Sequence, residues 1–167
     1  CAAMDAIVRP FVYRKYLDFG AIAALRELHD LIRAETQRKS ARGAGGSRNH
    51  EDNVKLGRGG IREIEFIAQA FQIIRGGRDP RLRERGTRAT LAQLSALGAL
   101  ASETCARLAE AYVFLRRVEH ALQYVEDAQT HRLPESEAER GRIARLLGMA
   151  SPAALLDELA RTREFVA

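Results

Sequence analysis

Two carboxylates, Glu63 and Glu65, are the first candidates for chemistry in this chain. Closely spaced carboxylates can hold a divalent metal ion against a phosphate. These two stand two residues apart on a predicted helix, so their side chains diverge by about 200° at about 100° per residue. Such a pair is a poor metal clamp, and we predict no metal ligands here. Glu65, which shares a helix face with Arg62, is the better site candidate.

The helix that must position these residues is predicted over about 60–75. The apolar run Ile61 to Ile74 has helix length, no proline and no strict alternation. Its apolar residues cover more than half of the helix surface, so we expect it to be mostly buried. The remaining polar residues form one narrow stripe, Arg62, Glu65, Gln69 and Gln72. That stripe needs polar partners, because unpaired buried polar groups are costly.

A glycine-rich corner, Gly57-Arg58-Gly59-Gly60, precedes this helix. Three glycines within four residues permit a positive φ angle and the close approach of another backbone or a ligand. We predict a short extended lead-in, residues 53–56, before the corner.

The rest of the chain predicts further helices joined by short connections. They are expected over 87–97, 102–126, 137–147 and 152–166, with Ser151 and Pro152 as a good N-cap and first-turn pair. Amphipathic helices with short connections favour an all-α antiparallel bundle around the central helix. We expect one helical domain, residues 1–167, and a flexible internal loop at 40–52, which is rich in Gly, Ser and charge.

Composition limits the class of protein. The two cysteines show no metal-ligand or disulfide spacing, no apolar run reaches membrane-spanning length and no signal peptide is visible, so we expect a cytoplasmic protein. The chain does not begin with Met, and we expect it to be a fragment of a larger enzyme. The net charge of +5 favours anionic partners. Many arginines alternate with Glu or Asp, however, and no aromatic residues accompany the basic stretch 75–88, which makes nucleic acid an unlikely partner.

Two interpretations remain open for Arg116 and Glu119 in the long helix predicted over 102–126. They form a structural ion pair, or one of them lies in a cleft beside Glu65. His29, His50 and His120 are more simply explained as surface, loop or boundary residues than as catalytic groups, since none has a visible nucleophile partner.

Three segments carry a resemblance to a known family. KLGRGGIREIEFIAQAFQIIRGGRDPRLR, RPFVYRKYLDFGAIAALRELHDLI and AYVFLRRVEHALQ resemble, in the same order, the bifunctional glutamine synthetase adenylyltransferase/adenylyl-removing enzymes. They correspond to the helical domain after the first nucleotidyltransferase domain. The wording GGIREIEF resembles the N-terminal, adenylyl-removing half, whereas the second half is more similar to GGMVDIEF.

The resemblance implies a parent enzyme that adds AMP to a tyrosine of glutamine synthetase and removes it by phosphorolysis. It implies Mg²⁺ and ATP or phosphate as cofactors and reactants, and control by glutamine and the PII signal protein. Lys55, Arg58 and Arg62 would then face nucleotide or phosphate, with Arg62 and Glu65 supporting the site. The alternative is that these residues only brace the interface with the parent's own nucleotidyltransferase domain.

The family carries its metal on an Asp-x-Asp motif, and no such motif occurs in this sequence. We therefore expect no catalytic residue, no bound cofactor and no activity in this chain alone. Two other functions stay open. One is a purely regulatory module that binds PII protein, and the other, less favoured, is a basic nucleic-acid-binding helical domain.

Overall fold

A computed structural model of the chain describes residues 2–13, 20, 23, 24, 27, 30, 31, 34 and 52–167. The predicted flexible loop at 40–52 lies outside the described residues except for Asp52. The helices whose bounds the structure describes are α1 (Ala2–Val12), α2 (Ile61–Arg75), α3 (Thr87–Ala96), α4 (Ser102–Glu126), α5 (Glu137–Leu146) and α6 (Pro152–Val166), with a short 3-10 helix at Pro80–Leu82.

The predicted all-α fold class is confirmed. Within the described part of the chain, β-pairing is limited to one isolated antiparallel bridge between Asn53 and Arg132. Helix α2 begins and ends where the apolar run predicts, at Ile61 and Arg75.

Serine side chains begin the last two helices. Ser136 Oγ accepts a hydrogen bond from the Glu139 N–H at the start of α5. Ser151 Oγ accepts one from the Ala154 N–H at 3.1 Å, and Pro152 occupies the first turn of α6. A capping serine satisfies a backbone donor that the helix leaves unpaired, and proline at this position loses no helical hydrogen bond. Helices α5 and α6 pack against each other.

The chain divides into two compact units. Among the described residues, one unit holds those up to Ala34 together with 65–107, and the other holds 52–64 together with 108–167. Helices α2 and α4 contribute residues to both units.

The burial of α2 changes along its length. Ile61, Ile64 and Ala68 are buried, while the other large apolar residues, which are Phe66, Ile67, Phe71, Ile73 and Ile74, are half-buried. The exposed positions are Arg62, Gln69 and Arg75. The apolar face of α2 is therefore most completely covered at its start, next to the glycine corner.

Helix α4 buries one apolar face along most of its length. Its buried apolar residues recur at helical spacing and are Cys105, Leu108, Ala111, Leu115, Val118, Ala121 and Leu122, with Tyr112 and Val125 half-buried. One charged residue, Glu119, is buried on the same helix.

Candidate functional site: a buried carboxylate beside the glycine corner

The segment before the glycine corner is a turn, and the predicted extended lead-in is wrong. The Asn53 carboxamide oxygen accepts hydrogen bonds from the N–H groups of Lys55 and Leu56, at 3.0 and 2.8 Å. The Gly57 N–H donates to the Asn53 carbonyl at 2.9 Å. Asparagine side chains commonly close such turns by bonding backbone donors two or three residues ahead. Only Asn53 itself pairs in an extended manner.

The glycine corner is shaped by the close approach of another backbone segment. Gly59 has a φ of +68°, and a Cβ atom there would collide with the backbone of Arg163 near the end of α6. The Arg163 Nε–H donates to the Arg58 carbonyl at 2.9 Å. Of the two predicted uses of the corner, approach by a backbone is the one observed.

The first turn of α2 has its backbone donors occupied. The N–H groups of Ile61 and Arg62 each donate at 3.1 Å to the carbonyls of Val54 and Lys55, and the Glu63 N–H donates to the Gly60 carbonyl. A helix N-terminus binds phosphate through N–H groups that lack such acceptors. The corner therefore does not resemble a backbone phosphate cradle, and any anion there would have to be held by side chains.

At Gln72, the polar stripe of α2 has a well-defined set of partners. The Gln72 side-chain nitrogen lies 3.0 Å from the Leu82 carbonyl, 2.6 Å from the Glu84 carbonyl and 3.0 Å from Thr90 Oγ1. Its amide thus ties α2 to the 3-10 helix region and to α3, which confirms the expected need for a partner at this position. Arg62 is exposed and Glu65 is half-buried. Their predicted support of a phosphate site stays a prediction, as does the placement of Arg116 or Glu119 beside Glu65.

In the part of the chain that the structure describes, several charged and titratable side chains gather around Glu119. This residue is 1% exposed. Its carboxylate lies 2.5 Å from Arg116 Nη1, 3.3 Å from Lys55 Nζ and 3.0 Å from His131 Nδ1. We call these four residues the Glu119 cluster. The predicted Arg116–Glu119 ion pair is therefore present, with two further members.

The cluster joins three segments of one unit. Arg116 and Glu119 are neighbours on α4, Lys55 belongs to the turn before the glycine corner, and His131 lies in the connection between α4 and α5. Backbone contacts hold the last two segments together, since the Val54 N–H donates to the His131 carbonyl at 2.9 Å and the Leu133 N–H donates to the Asp52 carbonyl at 3.0 Å. Sequence spacing reveals only the pair on α4. The other two members meet it through tertiary structure, and no local pattern marks them.

The surroundings of His131 favour its neutral form. Desolvation by burial lowers its pKa below the ordinary value of 6.5, and the positive charge of Lys55 lowers it further. Glu119 acts in the opposite direction, and Arg116 adds to the lowering. With His131 neutral, the cluster holds two positive charges and one negative charge.

The basic stretch 75–88 is partly used for local structure. Arg81 pairs with Asp79 at 2.8 Å. Arg83 donates to the carbonyls of Gly76 and Gly77, at 2.7 and 3.3 Å, and its guanidinium lies 5.6 Å from the centre of the Tyr13 ring. These contacts favour a structured basic turn over a continuous binding patch.

Lys55 and Arg58 have different surroundings, and their predicted contact with nucleotide or phosphate stays a prediction. Lys55 is half-buried and pairs with Glu119, whereas Arg58 is exposed and uses its carbonyl to accept from Arg163. No set of three His, Cys, Asp or Glu side chains among the described residues is arranged to hold a metal ion. No helix in the described part of the chain is both long and apolar enough to cross a membrane.

Comparison with known proteins decides the family. A family model described as GlnD PII-uridylyltransferase matches residues 26–167. The chain belongs to this family. Residues 61–75 and the whole Glu119 cluster lie within the matched range.

Several similar curated proteins carry the name bifunctional glutamine synthetase adenylyltransferase/adenylyl-removing enzyme. The chain is 53% identical to the protein of Burkholderia mallei over 163 residues, which cover 98% of this chain and 17% of the relative. It is 50% identical to that of Ralstonia nicotianae over 98% of the chain and 18% of the relative, and 47% identical to that of Hahella chejuensis over 95% and 16%. The resemblance predicted from the three sequence segments is therefore confirmed, and the chain spans about one sixth of the length of these relatives.

Proposed function

We propose that this chain is the helical domain that supports the adenylyl-removing half of a bifunctional glutamine synthetase adenylyltransferase/adenylyl-removing enzyme. The observation that carries the proposal is the 53% identity over 98% of the chain to a relative of that name. The GGIREIEF segment favours the adenylyl-removing half. The parent acts in nitrogen regulation in the cytoplasm, with glutamine synthetase as its protein substrate.

In the proposed reaction, an oxygen of inorganic phosphate attacks the adenylyl phosphorus on the modified tyrosine. The bond between the phosphorus and the tyrosine oxygen breaks, so that ADP is released and the tyrosine oxygen of glutamine synthetase takes up a proton to regenerate its hydroxyl. Negative charge develops around the phosphorus, and such charge requires positive groups nearby. This chain offers Lys55, Arg58 and Arg62 as phosphate- or nucleotide-binding candidates and Arg62 with Glu65 as supporting residues.

The chemistry itself belongs to the nucleotidyltransferase domain of the parent, which is this chain's first partner. Mg²⁺, with ATP or phosphate, serves the parent there. The described residues of this chain do not fit a metal site of their own, because no three ligating side chains converge among them. We propose that the helical domain packs on the nucleotidyltransferase site and holds its charged residues against the reactants.

A direct assay tests this division of labour. Adenylylated glutamine synthetase is incubated with phosphate and Mg²⁺, and ADP release is measured for the 167-residue chain and for the intact parent. We expect ADP release from the parent and none above blank from the chain alone, because a site without a metal clamp cannot stabilise the phosphoryl charge. ADP release by the chain alone would contradict the division, and no release by the parent would contradict the proposed activity.

A second candidate function is a regulatory module that binds the PII protein. One observation favours it: the description of the matching family model, PII-uridylyltransferase, names an enzyme that acts on PII. Titration of the chain with unmodified and uridylylated PII tests this candidate. Saturable binding that distinguishes the two forms supports it, and the absence of binding to both forms contradicts it.

A further inference from the structure

The Glu119 cluster is layered, with its carboxylate inside and its basic groups outside. The Glu119 side chain is 2% exposed, whereas those of Lys55, Arg116 and His131 are 31%, 36% and 26% exposed. A solute that approaches from the solvent therefore meets the basic side chains first.

The basic groups are not fully used by Glu119. All three lie at ion-pair distance from it, yet neither carboxylate oxygen nor His131 Nδ1 has a partner in hydrogen-bond geometry. A lysine ammonium has three N–H donors and an arginine guanidinium has five, more than one carboxylate can accept. Arg116 has one further polar neighbour, His120 Nε2 at 3.5 Å from Nη2. The cluster therefore has donor capacity for a second acceptor.

The cluster also has an excess of positive charge. Lys55 and Arg116 contribute two positive charges, Glu119 contributes one negative charge, and burial together with Lys55 lowers the pKa of His131 toward the neutral form. A half-buried site with a net positive charge attracts anions more strongly than an exposed one, because solvent screens it less. Since Glu119 already holds the cationic side chains in place, an incoming anion pays less to order them.

We propose that Lys55, Arg116 and His131 form a subsite for a phosphate group, with Glu119 as its positioning residue. The inference deepens the proposed function and rests on it for the choice of phosphate as the ligand. It places Arg116 and His131 beside Lys55, which is one of the three phosphate-binding candidates Lys55, Arg58 and Arg62. Phosphate suits the site because its oxygens accept several charge-assisted hydrogen bonds at once. Inorganic phosphate and the phosphate of a nucleotide share this chemistry.

The pKa of His131 gives a direct readout. A bound dianion stabilises the imidazolium form, so phosphate should raise the pKa of His131 relative to chloride at equal ionic strength. The charged groups that face His131 are Lys55 from the turn and Arg116 and Glu119 from α4. NMR titration of the histidine ring signals in the 167-residue chain measures the shift without any substitution. An upward shift supports the subsite, and identical titration curves in phosphate and chloride overturn it.

Repeating the titration with AMP distinguishes the two sources of phosphate. If AMP shifts His131 at lower concentration than inorganic phosphate does, the subsite holds the nucleotide. If inorganic phosphate acts at the lower concentration, the subsite holds the free reactant. Both outcomes support a phosphate subsite.

Matched variants locate the binding. Arg116→Gln should weaken phosphate binding about tenfold, as expected for the loss of one charge-assisted contact, and Arg116→Lys should restore part of it. Arg142→Gln removes the same charge from an exposed position on α5 of the same unit and should leave binding unchanged. Equal weakening by Arg116→Gln and Arg142→Gln would show diffuse attraction and overturn the subsite. If Arg116→Gln fails to fold, Lys55→Gln provides the second variant.

The failure of this inference differs from the failure of the proposed function. If the parent enzyme releases ADP but phosphate leaves the pKa of His131 unchanged, the proposed function stands and the phosphate subsite is ruled out. If the chain binds phosphate at His131 but the parent shows no phosphorolysis, the subsite stands and the proposed function is ruled out.

Discussion

At the scale of single residues, Glu119 carries the largest electrostatic consequence. Removing a carboxylate from water is costly, and the cost is offset only when positive groups lie close to it. Arg116 and Lys55 supply that positive charge, and the neutral His131 ring lies beside the carboxylate as a polar neighbour. The three residues come from three different segments of one unit. Glu119 therefore links the turn before α2, helix α4 and the connection to α5.

Replacing Glu119 should destabilise the chain. Glu119→Gln leaves Lys55 and Arg116 close together without the negative charge between them, and breaking a buried pair typically costs about 3 kcal/mol. Urea unfolding measures the change in the free energy of unfolding. Glu110→Gln, at an exposed position on the same helix, is the matched control and should be near wild type. Equal stability of the two variants would contradict the role given to Glu119.

His131 should make stability depend on pH. Its folded-state pKa is lowered from 6.5, so the unfolded chain takes up the proton first and folding favours the neutral ring. The contribution to stability is complete above 6.5 and is lost as the pH falls through that value toward the folded-state pKa.

The measurement is the free energy of unfolding of wild type and of His131→Asn across this pH window. Wild type should lose more stability than the variant as the medium becomes acidic. If the free energy of unfolding of wild type changes with pH as that of the variant does, or falls less than that of the variant in acid, the folded chain does not hold the His131 ring neutral.

At the scale of elements, the glycine corner shows how a backbone constraint positions α2. Gly59 combines a φ of +68° with the backbone of Arg163 where a side chain would lie. Gly148, in the same unit, has a φ of +73° but open space around the position of a Cβ atom. Substitution of Gly148 therefore tests conformational strain alone, whereas substitution of Gly59 tests strain together with steric exclusion.

Gly148→Ala should cost about 1–2 kcal/mol, the strain of a left-handed L-residue. Gly59→Ala should cost clearly more, because the corner or α6 must also move. Thermal and urea unfolding of both variants measures the difference. Equal losses of stability in the two variants would mean that the backbone near Arg163 moves aside without a cost in free energy.

Local patterns predicted the elements well because local chemistry determines them. Ser151 and Pro152 begin α6 as expected, since capping depends on neighbours in sequence. The apolar run 61–74 predicted α2 for the same reason. The prediction of an extended lead-in was wrong because the Asn53 side chain closes a turn there. The alternation of apolar and polar residues does not reveal such a turn. The ion pairs of Glu119 with Lys55 and His131 were missed because they depend on tertiary contacts, whereas the i, i+3 pair with Arg116 was visible.

At the scale of the whole molecule, the fold class follows from helical periodicity, and the family follows from sequence motifs shared with relatives. Neither determines the role of the polar stripe on α2. Phosphate support and interface bracing both suit Arg62 and Glu65, since either role requires paired charges on an otherwise apolar helix. Function in the parent separates the two roles, because only phosphate support links the charge of Glu65 to the reaction rate.

We propose that this helical domain serves the adenylyl-removing reaction, and Glu65→Gln in the intact parent tests this role most directly. The swap keeps size and most hydrogen-bonding capacity but removes the charge. Glu63→Gln is the matched control, because Glu63 is also half-buried on α2 but points about 200° away. Both activities and the melting temperature are measured on each preparation. We predict that Glu65→Gln slows phosphorolysis at least tenfold relative to Glu63→Gln, a loss of about 1.4 kcal/mol in transition-state stabilisation, with adenylyl addition and the melting temperature nearly unchanged. Unchanged phosphorolysis with a lowered melting temperature would contradict the claim and leave Glu65 as an interface brace.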